Sequence, residues 1–327
     1  MTGRRASARA LANVALVKYF GKRDSRLNLP AAGSLSIALE PLETTTEVAF
    51  DAAFDRDEVL LDVRPAPAAF AARVSSFLDL VRGLAGTAER ARVVTRNGFP
   101  TGAGLASSAS GFAALALAAT AALDLELGED GLSALARQGS GSAARSIPGG
   151  VAVWDAGERA DGADSFARRI AAPADLDLRL VVGVSDAGPK ALGSTQAMEL
   201  TRETSPYYAA WIETARSQLA EAIDAVEERD LERLGGIAER SALAMHAAAL
   251  AAAPGIVYWN GATVDALHAI RALRAKGHLV FFTCDAGPQP KALCAPADED
   301  AVVRALVNLP GIRKVIRCRI GGGAELV

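Results

Sequence analysis

The sequence predicts a mixed α/β protein of about two domains. Strand-like apolar runs alternate with helical repeats along the chain, 50% of its 327 residues are hydrophobic, and 22% are charged. This pattern is typical of globular proteins built from layers of helices and sheets, and the length suits about two domains with sizeable cores. A polar, irregular stretch over residues 160–175 predicts the boundary. We therefore expect an N-terminal domain over 1–175 and a C-terminal domain over 176–327.

In the N-terminal part, alternating and β-branched runs predict strands. The first run, residues 10–19, is apolar until Lys18 and Tyr19, and a charged turn follows it. Residues 68–84 carry apolar side chains at helical spacing, which predicts an amphipathic helix. Further strands are predicted over 35–39, 43–50, 58–63, 91–95 and 151–154, and further helices over 112–123 and 130–138.

The C-terminal part repeats this alternation with longer helices. The apolar run over residues 279–284 predicts a buried strand that ends at Asp285. Gly277 follows a helical run and suits the end of a helix. The remaining strands are predicted over 176–184 and 313–318, and the helices over 207–228, 231–250, 261–276 and 301–309.

Composition and charge exclude several classes of function. The net charge of -3 and the absence of a basic stripe indicate that nucleic acid is not a partner. No apolar run approaches the ~20 residues of a membrane-spanning helix, and no apolar segment of a secretory signal follows the arginines of residues 1–9. Three cysteines without metal-ligand spacing favour a reducing, cytoplasmic location. With three histidines, a His-rich metal site is not expected, and His246 in an apolar helix is interpreted as a core or interface residue.

A glycine-rich stretch over residues 97–111 is the first candidate functional segment. It contains small residues and hydroxyls, no acidic side chain, and lies between a predicted strand and a predicted helix. In this arrangement, glycines let the backbone approach a phosphate and the N–H groups at the helix start bind it. The stretch has neither Gly-Lys-Ser/Thr nor an opening G-x-G-x-x-G. From these residues alone, a small-residue turn that caps a buried helix remains the alternative.

Two lysines and one acid form a second set of candidates. Lys18 ends an otherwise apolar strand, where a lysine is unfavourable unless it meets an anion, and Lys22 follows four residues later. The alternative is a solvated turn. Asp285 lies at the tip of an apolar strand, so it is either an Asx-turn residue or a site acid.

A second small-residue stretch, residues 139–150, carries Ser140, Ser142 and Arg145. Hydroxyls beside an arginine suit an anion, because a guanidinium binds a carboxylate or phosphate through two parallel hydrogen bonds. The alternative is a surface loop with a solvated arginine.

Together these segments resemble the GHMP kinases, and more narrowly the diphosphomevalonate decarboxylases. One glycine loop would be weak evidence, but here specific blocks follow the family's order over nearly the full chain. The matching blocks are residues 13–24, 44–46, 97–114, 137–146, 193–195, 203–206 and 284–288.

The resemblance implies a fold and an activity. The fold would be the two-domain GHMP kinase fold, in which the N-terminal domain has a left-handed βαβ unit, the C-terminal domain is ferredoxin-like, and the site lies in the cleft between them. The activity would convert (R)-5-diphosphomevalonate and ATP to isopentenyl diphosphate, ADP, phosphate and CO₂, in the mevalonate pathway of isoprenoid biosynthesis. The resemblance also implies Mg²⁺ and a homodimer.

The resemblance further implies roles for individual residues. Asp285 would lie at the C3 hydroxyl as general base or orienting group, Lys18 would neutralise charge beside it, and Arg145 would bind the carboxylate that leaves as CO₂. The 5-diphosphate would bind to Tyr19, Lys22, Ser140 and Ser142. The ATP phosphates would bind to Asn97, Pro100, Gly102, Ala103, Gly104, Leu105, Ala106, Ser107 and Ser108, with Ser107 or Ser108 near Mg²⁺.

The chain departs from the family's pattern in three places. Ala32-Gly33 stands where Asn-Ser is frequent, and Pro148 replaces a residue that is usually larger. Residues 193–198 contain Thr195-Gln196 where bacterial members often carry an arginine. The alternatives are a decarboxylase of mevalonate 5-phosphate, a small-molecule kinase that stops after phosphorylating mevalonate at O3, and a non-catalytic relative. The presence of Asp285 and both serines of the second stretch favours full decarboxylation of the diphosphate.

Overall fold

A computed structural model describes residues 4–99, 107–185 and 192–327. Strands and helices alternate through these ranges, so the predicted mixed α/β class is confirmed. The strands are β1 (Arg4–Val17), β2 (Lys22–Asp24), β3 (Leu29–Pro30), β4 (Ser34–Asp51), β5 (Glu58–Leu61), β6 (Arg64–Pro65), β7 (Arg90–Asn97), β8 (Val151–Trp154), β9 (Ala167–Ala171), β10 (Arg179–Ser185), β11 (Val280–Cys284), β12 (Pro290–Cys294), β13 (Ile312–Ile320) and β14 (Glu325–Leu326).

The helices follow the predicted positions closely. Two short 3₁₀ turns, Gly141–Ser146 and Pro296–Asp298, accompany them. The helices are α1 (Ala68–Ala85), α2 (Ser107–Ala122), α3 (Glu129–Gly139), α4 (Ser194–Thr204), α5 (Tyr208–Glu227), α6 (Leu231–Leu250), α7 (Gly261–Ala275) and α8 (Glu299–Val307). In the described ranges, no helix is both long and apolar enough to cross a membrane.

One large mixed sheet runs through both halves of the chain. Its path is β11-β12-β10-β13-β4-β7-β5-β6, while β1 and β8 also pair with β4. The β5–β7 pair is parallel, with α1 between its strands in the chain. The C-terminal strands join the N-terminal ones through two residue pairs between β13 and β4, Arg319 with Glu40 and Ile320 with Leu39. The carboxylate of Glu40 accepts two hydrogen bonds from Arg319 at this junction.

Helix α2 lies at the centre of the N-terminal core. It is rich in alanine, and most of its residues are buried, Phe112 and Leu115 among them. Small side chains allow the helix to pack closely against β1 and β4. Burial of each large apolar side chain contributes about 1.5–3 kcal/mol. This packing holds the start of α2, where Ser107 and Ser108 lie, at a fixed place beside the sheet.

Several elements of the structure differ from the sequence prediction. The strands predicted at 35–39 and 43–50 form one strand, β4, although Pro41 lies between them. Strand β9 lies within the stretch predicted to be irregular and pairs with β8. Helix α4 and strand β12 were not predicted. Strand β12 is stabilised by pairing with β10 and β11, which no local pattern reveals. The predicted boundary at 175/176 stays a prediction, and it falls between β9 and β10.

Candidate active site

A cavity of about 690 Å³ lies where β1, β11, the start of α2 and the 3₁₀ turn Gly141–Ser146 come together. Nine residues that the sequence proposed for the site line it. They are Lys18, Tyr19, Lys22, Ser107, Ser108, Ser140, Ser142, Arg145 and Asp285. Residues far apart in the chain are therefore brought to one chamber.

Asp285 lies directly after β11 and contacts two lysines. Lys18 Nζ donates a hydrogen bond to Asp285 Oδ1 at 2.7 Å, and Lys291 Nζ lies 3.1 Å from Asp285 Oδ2. Lys18 also donates to the carbonyl oxygen of Ala15 at 2.6 Å. The side chain of Asp285 is 25% exposed, whereas that of Lys18 is 1% exposed. Asp285 thus faces the cavity with each carboxylate oxygen next to an ammonium group.

The charges around Asp285 keep it ionised. Burial alone would raise the pKa of this carboxyl, but the positive charges of Lys18 and Lys291 outweigh burial and hold the pKa well below its usual range. Burial lowers the pKa of Lys18, and the charge of Asp285 opposes that shift. An Asx turn does not explain Asp285, because both of its carboxylate oxygens contact lysines from other parts of the chain.

Arg145 is buried in the wall of the cavity and has neutral partners. Its Nη1 donates to Ser34 Oγ at 2.6 Å and its Nη2 to Asn13 Oδ1 at 3.3 Å. Its guanidinium carbon lies 5.9 Å from the ring centre of Tyr19 and 5.6 Å from that of Trp154. Arg145 is 2% exposed, so the alternative of a solvated surface arginine is wrong.

The positive charge of Arg145 is not matched by a direct ion-pair partner, although the more distant carboxylate of Asp285 acts on it. No carboxylate of the described residues forms an ion pair with it, and its Nε has no hydrogen-bond partner within the same ranges. Burial lowers the pKa of Arg145 to about 10, which leaves it charged at neutral pH. A buried cation with only neutral partners lines a cavity here, so the cavity is suited to an anion.

The serine hydroxyls lie between this arginine and the start of α2. Ser140 Oγ is 3.4 Å from both Ser142 Oγ and Ser108 Oγ. A side chain at Gly141 would place its Cβ 2.5 Å from Tyr19 Oη, so a glycine is required for the turn to approach this ring. Lys22 Nζ donates to Thr195 Oγ1 at 3.3 Å across the cavity mouth.

The glycine-rich stretch is described only in part. Pro100, Gly102, Ala103, Gly104, Leu105 and Ala106 lie outside the described residues. Ser107 and Ser108 begin α2 and line the cavity. Asn97 ends β7 and accepts a hydrogen bond from Thr44 Oγ1 at 2.6 Å, and it is not among the described residues that line the cavity.

Three polar residues near these groups were missed by the sequence interpretation. Asn13 donates to Ser146 Oγ at 2.8 Å and fixes the 3₁₀ turn against β1. Arg73 lines the cavity and donates to the Gly139 carbonyl at 2.7 Å. Arg73 lies between Phe70 and Phe77 on the apolar side of α1, and a cation in that position could have indicated a site residue. Lys291 lies in the apolar run of β12, where a buried lysine is equally unusual.

Two family models match the chain in order. The diphosphomevalonate decarboxylase-like N-terminal domain covers residues 10–167, and the mevalonate 5-diphosphate decarboxylase C-terminal domain covers residues 180–322. The diphosphomevalonate decarboxylase of Aspergillus fumigatus is 35% identical over 326 residues, which span 94% of this chain and 81% of the relative.

Solved structures show the same likeness. Mevalonate diphosphate decarboxylase from Staphylococcus aureus has a TM-score of 0.94 at 36% identity, over 99% of this chain and 98% of that one. The protein named MDDEF, in complex with MVAPP, AMPPCP and magnesium, has a TM-score of 0.93 at 38% identity over 99% and 98%. The GHMP kinase fold is thereby confirmed, while the hand of the βαβ unit and the ferredoxin-like topology stay predictions. Because both domain models and full-length relatives agree, the chain belongs to the diphosphomevalonate decarboxylase family.

Proposed function

We propose that this chain converts (R)-5-diphosphomevalonate and ATP to isopentenyl diphosphate, ADP, phosphate and CO₂. The observation that carries the proposal is the pairing of two centres in one cavity. An ionised aspartate lies between two lysines, and a buried arginine without a carboxylate partner in the described residues lies in the same wall. One centre suits the hydroxyl that is phosphorylated, and the other suits the carboxylate that leaves.

Asp285 would act on the C3 hydroxyl. A tertiary hydroxyl is a poor leaving group, and its phosphorylation makes it a good one, so that loss of phosphate and CO₂ can form the alkene. Because its pKa is depressed, Asp285 is a weak base, which favours orientation of the hydroxyl over early proton removal. Phosphoryl transfer passes through a loose transition state that asks little of a base until late. Lys18 would stabilise the charge that develops beside Asp285.

Arg145 would bind the carboxylate of the substrate. Its guanidinium is held by Ser34 and Asn13 and flanked by two rings, so it is oriented before the substrate arrives. A carboxylate bound by two hydrogen bonds is held in one plane, which fixes the bond that breaks when CO₂ leaves.

The 5-diphosphate would lie along the serine turn. We assign it to Tyr19, Lys22, Ser140 and Ser142, supported by their common place in the cavity wall. Lys22 reaches the mouth of the cavity beside Thr195. A diphosphate brings enough negative charge to offset the excess of cations there.

ATP and Mg²⁺ would occupy the side of the cavity at the start of α2. We assign the phosphates to Asn97 and the stretch that follows it, and to Ser107 and Ser108 at the helix start. The described residues contain no group of three or more His, Cys, Asp or Glu side chains that could hold a metal. This suits Mg²⁺ bound chiefly through phosphate oxygens, with a hydroxyl from Ser107 or Ser108. When bound, Mg²⁺ would neutralise charge on those oxygens.

Three further proposals concern the oligomeric state, the location and the domain boundary of the protein. We propose that the protein works as a homodimer in the cytoplasm, and the free, buried state of Cys284, Cys294 and Cys318 suits a reducing compartment. We also propose the domain boundary at 175/176, supported by its place in the connection between β9 and β10.

A substrate panel tests the proposed activity. We expect the purified chain with ATP and Mg²⁺ to release CO₂ and phosphate from 5-diphosphomevalonate in equal amounts with ADP. Mevalonate and its 5-phosphate should be turned over at least about tenfold more slowly, because neither provides the charge that Lys22 and the serines are assigned to bind. ADP formation without CO₂ would contradict the proposal and support a kinase, and preference for the 5-phosphate would support the alternative decarboxylase.

A further inference from the structure

Lys291 is a buried cation that the proposed chemistry has not used. It lies in β12, a strand whose five residues are all buried, and it is 2% exposed. Its Nζ is 3.1 Å from Asp285 Oδ2. Lys291 is absent from the described residues that line the cavity, so it reaches the site only through Asp285.

The backbone fixes Lys291 in this place. It pairs with Thr283 across the β11–β12 ladder, two residues before Asp285. Its Nζ also donates to the Gln289 carbonyl at 3.4 Å. Gln289 in turn accepts a hydrogen bond from the backbone N–H of Ser185 at 2.6 Å, next to the end of β10. Lys291 therefore sits on a frame formed by neighbouring strands and has little freedom to move.

The two lysines contact different oxygens of the same carboxylate. Lys18 donates to Oδ1 and lines the cavity, whereas Lys291 contacts Oδ2 from behind. An anionic substrate that enters the cavity competes with Asp285 for Lys18, because Lys18 lines the cavity and Lys291 does not. Once Lys18 turns toward that substrate, Lys291 is the cation that remains on Asp285.

We propose that Lys291 is a positioning residue of the decarboxylation: it holds Oδ2 of Asp285 so that the carboxylate stays ionised and keeps one orientation while Lys18 serves the substrate. The inference rests on the proposed function and deepens it. It assigns different roles to Lys18 and Lys291, although both contact the same carboxylate.

The groups around Asp285 decide how its protonation responds to the loss of Lys291. Lys18 faces it from the end of β1, Arg145 from the 3₁₀ turn, His246 from α6, and Cys284 precedes it in β11. Burial lowers the pKa of His246 to about 3 and raises that of Cys284 to about 11, so neither is charged near neutral pH. Without Lys291, burial of Asp285 is opposed mainly by Lys18, and the pKa of Asp285 should rise.

The test compares the pH dependence of kcat for the wild-type chain, Lys291→Met and Lys291→Arg, from about pH 4 to about pH 9, with CO₂ release as the readout. For Lys291→Met we expect kcat at neutral pH to fall by about tenfold or more and KM for both substrates to stay within about threefold. The depressed pKa of Asp285 keeps the acidic limb of the wild type below this pH range, and in Lys291→Met the limb should move up into it. Lys291→Arg retains the charge, so its acidic limb should stay at the wild-type position. The matched control is Lys314→Met, an exposed lysine on β13.

Each result decides the proposal. A Lys291→Met chain with wild-type kcat and acidic limb would overturn it. Equal loss of activity at every pH, with the same loss in Lys291→Arg, would also overturn it, because that pattern indicates a structural role. If Lys291→Met does not fold, Lys291→Gln takes its place, and the same shift of the acidic limb of kcat is expected. A wild-type chain that releases no CO₂ would contradict the proposed function together with this inference, whereas an active wild type with an indifferent Lys291 would contradict the inference alone.

Discussion

Two charged centres share one cavity but differ in how their charge is balanced. At Asp285, each carboxylate oxygen has a lysine within 2.7 Å and 3.1 Å. At Arg145, the partners are the hydroxyl of Ser34 and the amide of Asn13, both neutral. The carboxylate of the first centre is satisfied as it stands, because two ammonium groups share it. The second is a buried charge that forms no ion pair with the described residues, although the more distant Asp285 acts on it.

This difference indicates what each centre is for. A satisfied carboxylate is held rigid and ionised, which suits a group that must orient a reacting hydroxyl. An unbalanced buried guanidinium is unfavourable for the folded protein, and the arrangement becomes favourable only when an anion binds. On the proposed assignment, Arg145 lowers the stability of the ligand-free protein and contributes to substrate binding, a trade seen at functional sites in general.

The largest expected effect comes from Asp285→Ala. Its removal eliminates the group assigned to orient the hydroxyl and leaves Lys18 and Lys291 facing each other. We expect kcat for CO₂ release to fall by about 10³-fold or more. ATP binding, measured by calorimetric titration, should stay within about threefold, because the phosphates are assigned to the start of α2.

The control for this variant is Asp265→Ala, an exposed aspartate on α7. It should keep wild-type turnover. Residual activity of Asp285→Ala within about tenfold of wild type would show that Asp285 is not the key group. The role given to the first centre would then be wrong.

A smaller loss is expected for Arg145→Lys. Lysine retains the positive charge but offers a compact ammonium in place of the planar fork that binds a carboxylate through two bonds. The two rings beside Arg145 also favour a guanidinium. We expect kcat/KM for 5-diphosphomevalonate to fall by about 10²-fold. Arg216→Lys, on the exposed face of α5, is the control; unchanged kinetics in Arg145→Lys would refute bidentate binding.

The candidate site was predictable where a residue broke its local pattern. Lys18 ended an apolar run and Asp285 followed one, so each was unusual in its own segment. Arg145 and the serines lay among small residues and gained their assignment from the family resemblance. Lys291 also broke a pattern, but β12 was not predicted as a strand. Its contact with Asp285 depends on the β11–β12 register, which is a tertiary property.

The fold was predictable to a similar depth. Hydrophobic periodicity located most helices because each one buries a single stripe or, like α2, most of its surface. Periodicity does not reveal which strands pair, since that depends on residues far apart in the chain. The junction of β13 with β4 through Arg319 and Glu40 is one example. The continuity of β4 through Pro41 is another, because a proline there is a local signal for a break.

The smallest effect, and the sharpest for the comparison, is on stability. Arg145→Met removes a buried charge that burial holds at a pKa of about 10, below the usual value for arginine. A base with a lowered folded pKa is destabilising wherever it is charged, so its full cost is present at neutral pH and is relieved only as the pH rises through about 10. We expect Arg145→Met to stabilise the ligand-free protein by about 1 kcal/mol, since the bonds lost at Ser34 and Asn13 offset part of the gain.

By calorimetry the thermal midpoint of Arg145→Met should rise by about 2 °C, whereas Asp285→Ala should lower it, because two buried lysines lose their counter-ion. The exposed Arg216→Met should leave the midpoint unchanged. If Arg145→Met lowered the midpoint as Asp285→Ala does, both centres would stabilise the ligand-free protein. The proposed contrast between the paired Asp285 and the unpaired Arg145 would then be wrong.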